Sequence, residues 1–228
     1  MAGMKTMIYA LLALGLAPIA ALAACSDGPK VAVDWSACDK PRLILSKMDL
    51  RGAKLVGTEL DGSDMARVNL TDADLSRASI DRVRFSGADM ERARLVFANA
   101  YRTNFSGARL VGADLSKSIL IRSNFTGADL SGANMSKAEV LRASFEGAVL
   151  KGTDLSGADL ARSSLDKAQM AGARLMGTRM FLTRVEGVDL SQALGLTQTQ
   201  LDGACGNAQT QLPRGLKIPA NWPCPKDE

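Results

Sequence analysis

Five arginines recur at intervals of twenty residues, and their side chains and spacing predict a binding surface. They are Arg82, Arg102, Arg122, Arg142 and Arg162, here called the arginine ladder. A guanidinium stays charged and presents a planar fork of donors that matches carboxylate and phosphate groups. If residues twenty apart are neighbours in the fold, these side chains form one cationic line along the molecule.

A second column lies one residue before each of these positions and is largely apolar. It contains Asp81, Tyr101, Ile121, Leu141 and Ala161, and Phe181 continues it at the next interval of twenty. Arginine beside apolar side chains suits a protein partner, or anionic lipid and glycan groups. The candidate binding face is therefore the arginine ladder with Tyr101, Ile121, Leu141 and Phe181. The alternative is a solvated structural face, because Asp81, Glu139 and Asp159 are placed to neutralise part of the charge.

The residues needed for catalysis are largely missing. The chain has no histidine, which removes the commonest general base and the commonest metal ligand. It also contains no Cys-x-x-Cys pair, phosphate-binding loop or EF-hand pattern. We expect the many Asp side chains to solvate the surface and bond to backbone, and Ser118, Ser123 and Ser163 to bond to local backbone. The chain is predicted to be non-enzymatic, with no cofactor and no metal.

A five-residue repeat determines where these side chains lie. Every position divisible by five from 45 to 190 is apolar, although only 46% of the chain is hydrophobic. Two residues before each lies a column of small residues, in which 28 of 30 are Ala, Ser, Thr or Val. Neither a strand, with period two, nor a helix, with period 3.6, produces this pattern. The unit is therefore small, polar, large, and then two mainly polar or Gly turn residues.

Phenylalanine adds a period of twenty, because it occupies Phe85, Phe105, Phe125 and Phe145 and no other multiple of five. Four units then complete one coil, with a turn at each of four corners. Thirty units predict about seven and a half coils and a rod about 36 Å long at ordinary strand spacing. At the position of the arginine ladder, the other three corners are expected to hold mainly Gly, as at Gly107, Gly127, Gly147, Gly112, Gly132 and Gly152.

These units resemble the pentapeptide-repeat family, whose motif is A(D/N)LXX. Close matches are Ala113-Asp114-Leu115, Ala128-Asp129-Leu130, Ala133-Asn134-Met135 and Ala158-Asp159-Leu160. The resemblance covers about 150 of the 228 residues. It implies an all-β fold, a right-handed quadrilateral β-helix.

A solenoid requires covered ends to remain soluble. We assign residues 1–24 to a signal peptide, 25–42 to an N-terminal linker and cap, 43–194 to the β-helix and 195–228 to a C-terminal cap. Trp35 is expected to cover the first coil. Thr197 and Gln200 form a capping-box pattern that predicts a short helix, followed by an extended strap that a Cys205–Cys224 disulfide would hold.

The N-terminus predicts export, with one Lys, an apolar run and small residues. Ala21-Leu22-Ala23 fits ordinary signal-peptidase cleavage, whereas Leu22-Ala23-Ala24-Cys25 resembles a bacterial lipobox that would lipidate Cys25. Lipidation would leave Cys38 without its nearby partner, which argues against it. The predicted location is periplasmic, with a lipid anchor at the membrane as the open alternative.

Two functions compete. The first is a non-catalytic exported scaffold of the bacterial envelope that binds a protein or an anionic envelope component, and no nucleic acid, through one face. The second comes from the resemblance, because some family members mimic DNA, bind gyrase and protect it from quinolones. Mimicry requires a strongly negative rod, whereas this chain has 28 basic and 24 acidic residues. Both the charge and the export signal disfavour that alternative.

Overall fold

The computed structural model describes residues 25–224, which form a four-sided parallel coil. Four series of parallel β-bridges begin at Asp34, Asp39, Ile44 and Asp49, and nearly every bridge joins residues twenty positions apart. Each bridge is isolated, so the described residues contain no continuous strand. Consecutive bridge positions are five residues apart, and four of them complete one coil. The predicted β-helix with pentapeptide sides is confirmed.

The two predicted inward columns form the core. All thirty multiples of five from 45 to 190 are at most 3% exposed. The small column is buried except at Leu43 and Met48, the two positions where it is not small. The four phenylalanine rings stack nearly parallel, with successive centroids 5.4, 4.9 and 4.9 Å apart. The rise per coil is therefore close to 4.9 Å in this part of the rod.

Each corner is a β-turn, closed for example by the hydrogen bond from Ala128 N–H to the Phe125 carbonyl (3.0 Å). The second central residue is left-handed, with φ of +65° at Gly127 and +60° at Arg122. Type II turns place a residue in this region, which favours Gly. The family's Asp or Asn accepts the N–H two residues later, as Asp154 does from Ser156 (2.9 Å). These acids therefore bond to backbone, as predicted.

Buried hydroxyls bond mainly to the preceding coil. Ser118 donates to the Leu115 carbonyl three residues earlier, as expected. Ser123 and Ser163 instead donate to carbonyls twenty-three residues earlier, at 2.6 Å each. The prediction of local bonds was wrong for these two, because the small column lies directly over the carbonyl groups of the coil before it.

The coil starts earlier than expected. Bridges begin at Asp34, within the segment 25–42 that we expected to form a linker and cap. Trp35 occupies an inward place and is 1% exposed, and its indole N–H donates to the Asp27 carbonyl at 3.0 Å. Lys40 takes the next place in the register, with Nζ 4.5 Å from the Trp35 ring centroid. Because Lys40 is charged, a search for apolar residues at every fifth position does not detect this coil.

One helix, α1 (Gln198–Asp202), follows the last corner. Thr197 and Gln200 make the expected capping box, since each side chain accepts the other's backbone N–H. The Gln200 amide also donates to the carbonyls of Leu175 and Thr178 at 2.7 and 2.9 Å. Leu201 is fully buried. The helix therefore packs on the end of the coil and satisfies exposed backbone groups there.

Two disulfides lie near the ends of the described chain. Cys205–Cys224, the predicted pair, holds the strap, and Cys25–Cys38 holds the other end. The Trp222 indole N–H donates to the Ala204 carbonyl at 2.7 Å and lies over Gly206, where an added Cβ would approach the ring to 2.3 Å. Within residues 25–224, no helix is long and apolar enough to cross a membrane.

Candidate functional site

The twenty-residue coil brings the arginine ladder together on one corner. All five residues are exposed, and all are left-handed, with φ between +55° and +60°. Because one coil rises by about 4.9 Å in the phenylalanine stack, each guanidinium stem starts about one strand spacing from the next. A non-glycine residue costs about 1–2 kcal/mol in this conformation. The ladder thus combines backbone strain with repulsion between like charges.

None of the five guanidiniums makes an ion pair with any residue of the described chain. The acids expected to neutralise them do not do so. Asp81 accepts the Tyr101 N–H at 2.8 Å, and Asp159 pairs with Arg179 at 3.0 Å. Glu139 forms no ion pair within residues 25–224. None of these five positive charges is therefore compensated by an ion pair within residues 25–224.

In other columns of the rod, one of them beside Arg82, residues twenty apart form opposite-charge pairs. Seven such pairs join adjacent coils: Asp34–Lys54, Asp64–Arg84, Asp72–Arg92, Asp74–Arg94, Asp89–Arg109, Asp154–Arg174 and Asp159–Arg179. Hydrogen bonds from Arg84 lower the pKa of Asp64, and those from Arg92 lower the pKa of Asp72. The same twenty-residue interval thus places like charges next to each other on the ladder and opposite charges next to each other in other columns.

The apolar column beside the ladder is less exposed than the sequence suggested. Tyr101, Ile121 and Leu141 are half-buried, while Phe181 is 56% exposed. The Tyr101 ring centroid lies 5.2 Å from the Arg102 guanidinium carbon, a cation–π contact. Ile121 and Leu141 line a groove together with charged residues of both signs: Lys137, Glu139, Asp159 and Arg179. The predicted residues therefore lie together, with their apolar parts partly packed into the corner.

The prediction that three corners hold mainly Gly was wrong for one of them. At the corner that precedes the ladder, the left-handed positions include Arg77, Phe97, Lys117 and Lys137. Lys117 Nζ lies 5.0 Å from the Phe97 ring centroid. Only the two corners on the opposite side are rich in glycine. The signal was present in the twenty-residue spacing of these residues.

Sequence reasoning also missed the bridge column two residues after the ladder. Beside Arg102, Arg122, Arg142 and Arg162 it contains Asn104, Asn124, Ser144 and Ser164, which are half-buried and uncharged, whereas beside Arg82 it contains Arg84, which pairs with Asp64. The Oδ1 atoms of Asn104 and Asn124 accept backbone N–H groups, both at 2.9 Å, so their NH₂ groups face away from those turns. Folding the sequence at period twenty and reading the column after the ladder would have found it.

Neither a metal cluster nor a reactive thiol is found among the described residues. Residues 25–224 contain no group of three or more His, Cys, Asp or Glu side chains able to hold a metal ion. Most Asp side chains accept turn N–H groups or pair with Arg, as described above. All four cysteines are in disulfides. The arginine ladder is therefore the most distinctive chemical feature of this surface.

The chain matches the family described as Pentapeptide repeats in eight copies. The matched segments are 44–82, 68–107, 78–116, 108–140 and 143–180, which together cover 44–140 and 143–180, or 135 of the 228 residues. The chain belongs to the pentapeptide-repeat family. Members of this family are generally non-enzymatic structural or interaction proteins, and those with solved structures form right-handed quadrilateral β-helices.

Solved structures similar to this pentapeptide-repeat protein include HetL, which is involved in heterocyst differentiation regulation in the cyanobacterium Nostoc sp. strain PCC 7120. It is 25% identical, over 86% of this chain and 95% of HetL, with a TM-score of 0.35. QnrB1, a plasmid-mediated fluoroquinolone resistance protein, is 16% identical over 75% of this chain and 93% of QnrB1, with a TM-score of 0.40.

A pentapeptide repeat protein of the Arabidopsis thaliana thylakoid lumen is 30% identical over 48% of this chain and 70% of its own, with a TM-score of 0.22. All three TM-scores are below 0.5. Among curated proteins, none matches the chain significantly.

Proposed function

We propose that this protein is a non-catalytic, exported interaction scaffold of the bacterial envelope, and that the arginine ladder corner binds a protein or an anionic envelope component. The observation that carries the proposal is the absence of any ion pair to the five ladder guanidiniums within residues 25–224, beside columns where residues at the same spacing pair. Unneutralised, strained and closely spaced cations are unfavourable in the free protein. An anionic partner would compensate that cost.

Export is supported by the leader-like sequence of residues 1–24, which lies outside the described residues, and by the disulfides. Disulfides persist in oxidising compartments such as the periplasm. The lipid-anchor alternative requires the Cys25 sulfur, which the structure joins to Cys38. Lipidation and this disulfide exclude each other at one atom. The intact mass of the protein from its native envelope, with thiols alkylated before and after reduction, distinguishes them.

The non-catalytic part of the proposal rests on composition and shape. The chain has no histidine, and its coil interior is filled by apolar side chains. The gyrase-binding alternative is opposed by charge, because DNA mimicry needs a continuous negative surface. The longest line of like charge described above is positive. A binding role for that line is therefore the simpler interpretation.

The experiment compares two equivalent positions on different corners. A photo-cross-linking amino acid is placed at Ile121, beside the arginine ladder, or at Val111, which is also half-buried at the first turn position but lies on a glycine corner. Irradiation of the native envelope should give a cross-linked product from position 121 and none from position 111. Arg102→Glu, Arg122→Glu and Arg142→Glu together should abolish it.

Equal cross-linking from both positions would show that the ladder corner is not selective. Survival of the product after charge reversal would show that the guanidiniums do not carry the contact. Either result contradicts the proposal. Unchanged thermal unfolding of the reversed variant serves as the control for folding.

A further inference from the structure

One side of the rod is strongly cationic along its middle coils. It runs from the corner that precedes the ladder to the ladder corner, and over residues 76–142 we call it the basic face. Its charged turn and bridge residues are Arg77, Arg82, Arg102, Lys117, Arg122, Lys137 and Arg142, with Asp81 and Glu139. On the opposite side, the equivalent positions of 86–152 contain Arg92, Arg109 and Lys151, with Asp89, Glu91, Asp129 and Glu146. The positive charge of the rod is therefore concentrated on the basic face.

The cations of the basic face are not neutralised by the acids near them. None of its seven basic residues forms an ion pair within residues 25–224. Asp81 accepts the Tyr101 N–H at 2.8 Å, and Asp159, one coil beyond the face, pairs with Arg179. Glu139 is exposed in the last of the four coils. The acids thus lie in the first and last coils of the face, and the two coils between them carry positive charge alone.

The basic face also carries the exposed apolar side chains of the middle of the rod. Between residues 49 and 175, the large hydrophobic side chains that are exposed are Phe97 and Ile119, at 50% and 38%. They lie on the basic face in adjacent coils, which are the two coils without an acidic residue. Lys117 Nζ lies 5.0 Å from the Phe97 ring centroid. Apolar groups and unpaired cations therefore share one surface, and such patches mark sites of protein or membrane contact.

This combination suits an anionic bilayer better than a folded protein. Protein interfaces are depleted in lysine, and their aromatic anchors fill pockets of the partner. At a membrane surface, apolar side chains enter the boundary between headgroups and acyl chains, while Lys and Arg reach the phosphates. Lipid headgroups also move laterally, so they can follow cations at any spacing. The partner therefore needs no repeat that matches the coil.

Resting on the proposed function, we propose that the anionic envelope component is a phospholipid bilayer and that the rod lies along its surface through the basic face. Phe97 and Ile119 enter the boundary between headgroups and acyl chains, and the unpaired cations contact lipid phosphates. The opposite side, with its glycine-rich corners, points away from the membrane. The arginine ladder then forms one edge of the contact surface, and Lys117 and Lys137 form the other.

The first test measures lipid binding with charge variants outside the ladder. The mature protein, purified from its native envelope, is cosedimented with phosphatidylcholine vesicles that contain or lack phosphatidylglycerol. Affinity should rise with phosphatidylglycerol and fall with added salt. Lys117→Gln and Lys137→Gln together should weaken binding by roughly twentyfold, since each basic residue near an anionic surface contributes roughly fivefold.

A matched pair of substitutions removes the same charge from another corner. Lys47→Gln and Arg67→Gln together remove two cations that are also exposed, left-handed and without an ion pair in residues 25–224. Their corner lies diagonally across the rod from Lys117. Their affinity should differ from that of the wild type by less than about twofold, because the Debye length at 0.1 M salt is only about 10 Å.

A second test reports which side of the rod meets the lipid. Phe97→Trp places an indole at the centre of the proposed contact, and its emission should shift to shorter wavelength on vesicle binding. Phospholipids brominated in their acyl chains should quench it. Ile44→Trp is the control, because Ile44 is 79% exposed on another side of the rod and should show neither change. Trp35 and Trp222 are common to both variants, so the comparison isolates the position.

Affinity that does not rise with phosphatidylglycerol would overturn the inference. So would equal weakening by the two pairs of substitutions, or equal quenching at positions 97 and 44. The cross-link from position 121 separates this inference from the proposed function, because its product should carry phospholipid. If the product is a protein and vesicles do not bind, the lipid inference fails and the proposed interaction surface stands. If no product forms and vesicles do not bind, both fail.

Discussion

Two columns with the same geometry carry opposite solutions for charge. Along the corner of Asp72 and Arg92, which are left-handed like the ladder residues, adjacent coils present opposite charges that pair. Along the corner of Arg102, Arg122 and Arg142, adjacent coils present like charges that do not pair within the described residues. Both columns use residues twenty apart at one coil spacing. The difference therefore lies in residue choice and not in backbone geometry.

The comparison shows how a solenoid separates stability from binding. The paired columns satisfy their own charges, and they also anchor turns, since Asp64 accepts the Ala66 N–H at 3.1 Å. At the ladder corner the left-handed positions favour Gly over Arg, and only Arg102 gains a ring contact, with Tyr101, among the described residues. The arginine ladder is unfavourable for the free protein, yet it is regular over five coils. Binding to a partner best explains why these arginines are present.

The largest expected effect comes from replacing the ladder with the residue of the opposite corners. Arg102→Gly, Arg122→Gly and Arg142→Gly together should raise the free energy of unfolding by about 3 kcal/mol, since each substitution relieves about 1 kcal/mol of left-handed strain. Urea unfolding of the full chain measures this change.

The matched reverse variant is Gly107→Ala, Gly127→Ala and Gly147→Ala. Each of these glycines has φ above +60°, and an added Cβ would meet no atom within 4 Å. Only backbone strain is therefore added, and the free energy of unfolding should fall by about 3 kcal/mol. Equal stability of all three proteins would show that the corners are not strained.

A smaller effect is expected from giving the ladder the charge pattern of a paired column. Arg122→Glu places a carboxylate between Arg102 and Arg142, and stability at low salt should rise by about 0.5 kcal/mol, as for exposed ion pairs. Arg122→Gln is the control that removes charge without creating a pair. A glutamate variant no more stable than the glutamine variant would contradict the assumed proximity of these side chains.

The pH dependence should come from the paired columns. Contacts with Arg84 and Arg92 lower the pKa of Asp64 and Asp72 below the usual value, so their contribution is present above about pH 4 and is lost as pH falls through the folded-state pKa. Asp64→Asn keeps an acceptor for Ala66 and removes the charge. Its melting temperature should be below that of the wild type at pH 7, and the difference should vanish as the pH falls below the lowered folded-state pKa of Asp64.

The smallest effect is that of salt. Raising the ionic strength from 0.01 to 1 M shortens the Debye length from about 30 to about 3 Å and screens repulsion along the ladder. The wild type should gain a few tenths of a kcal/mol relative to Arg122→Gln under this change. A gain of the same size for Lys151→Gln would mean that screening acts on net charge and not on the ladder.

The sequence predicted the core well because burial leaves few choices at an inward place. Leu, Met and Phe at every fifth position and Ala two residues earlier are visible without coordinates. The first coil was missed because Lys40 takes an inward position there and lies against the face of the Trp35 ring. A search for apolar residues at every fifth position cannot detect this cation–π contact. The destination of the Ser123 and Ser163 hydroxyls required knowing which carbonyl lies beneath them.

The sequence predicted that the five arginines line up in one column, but not that they lack ion pairs with the described residues. Spacing placed the five arginines on one corner, yet it could not show that Asp159 would bond to Arg179. Exposure of the apolar column also depended on how Ile121 and Leu141 pack into the turn. Such choices among nearby partners depend on side-chain geometry, which the repeat does not encode.

The constant coil of twenty residues makes direction around the rod a matter of counting. Five residues inserted at a corner would leave every inward place apolar, yet would carry each later residue round by one face. An arginine ladder interrupted in this way would continue on the neighbouring corner, whereas twenty inserted residues would extend it by one rung of about 4.9 Å. The number of residues between two positions therefore fixes both their separation along the axis and the face on which each of them lies.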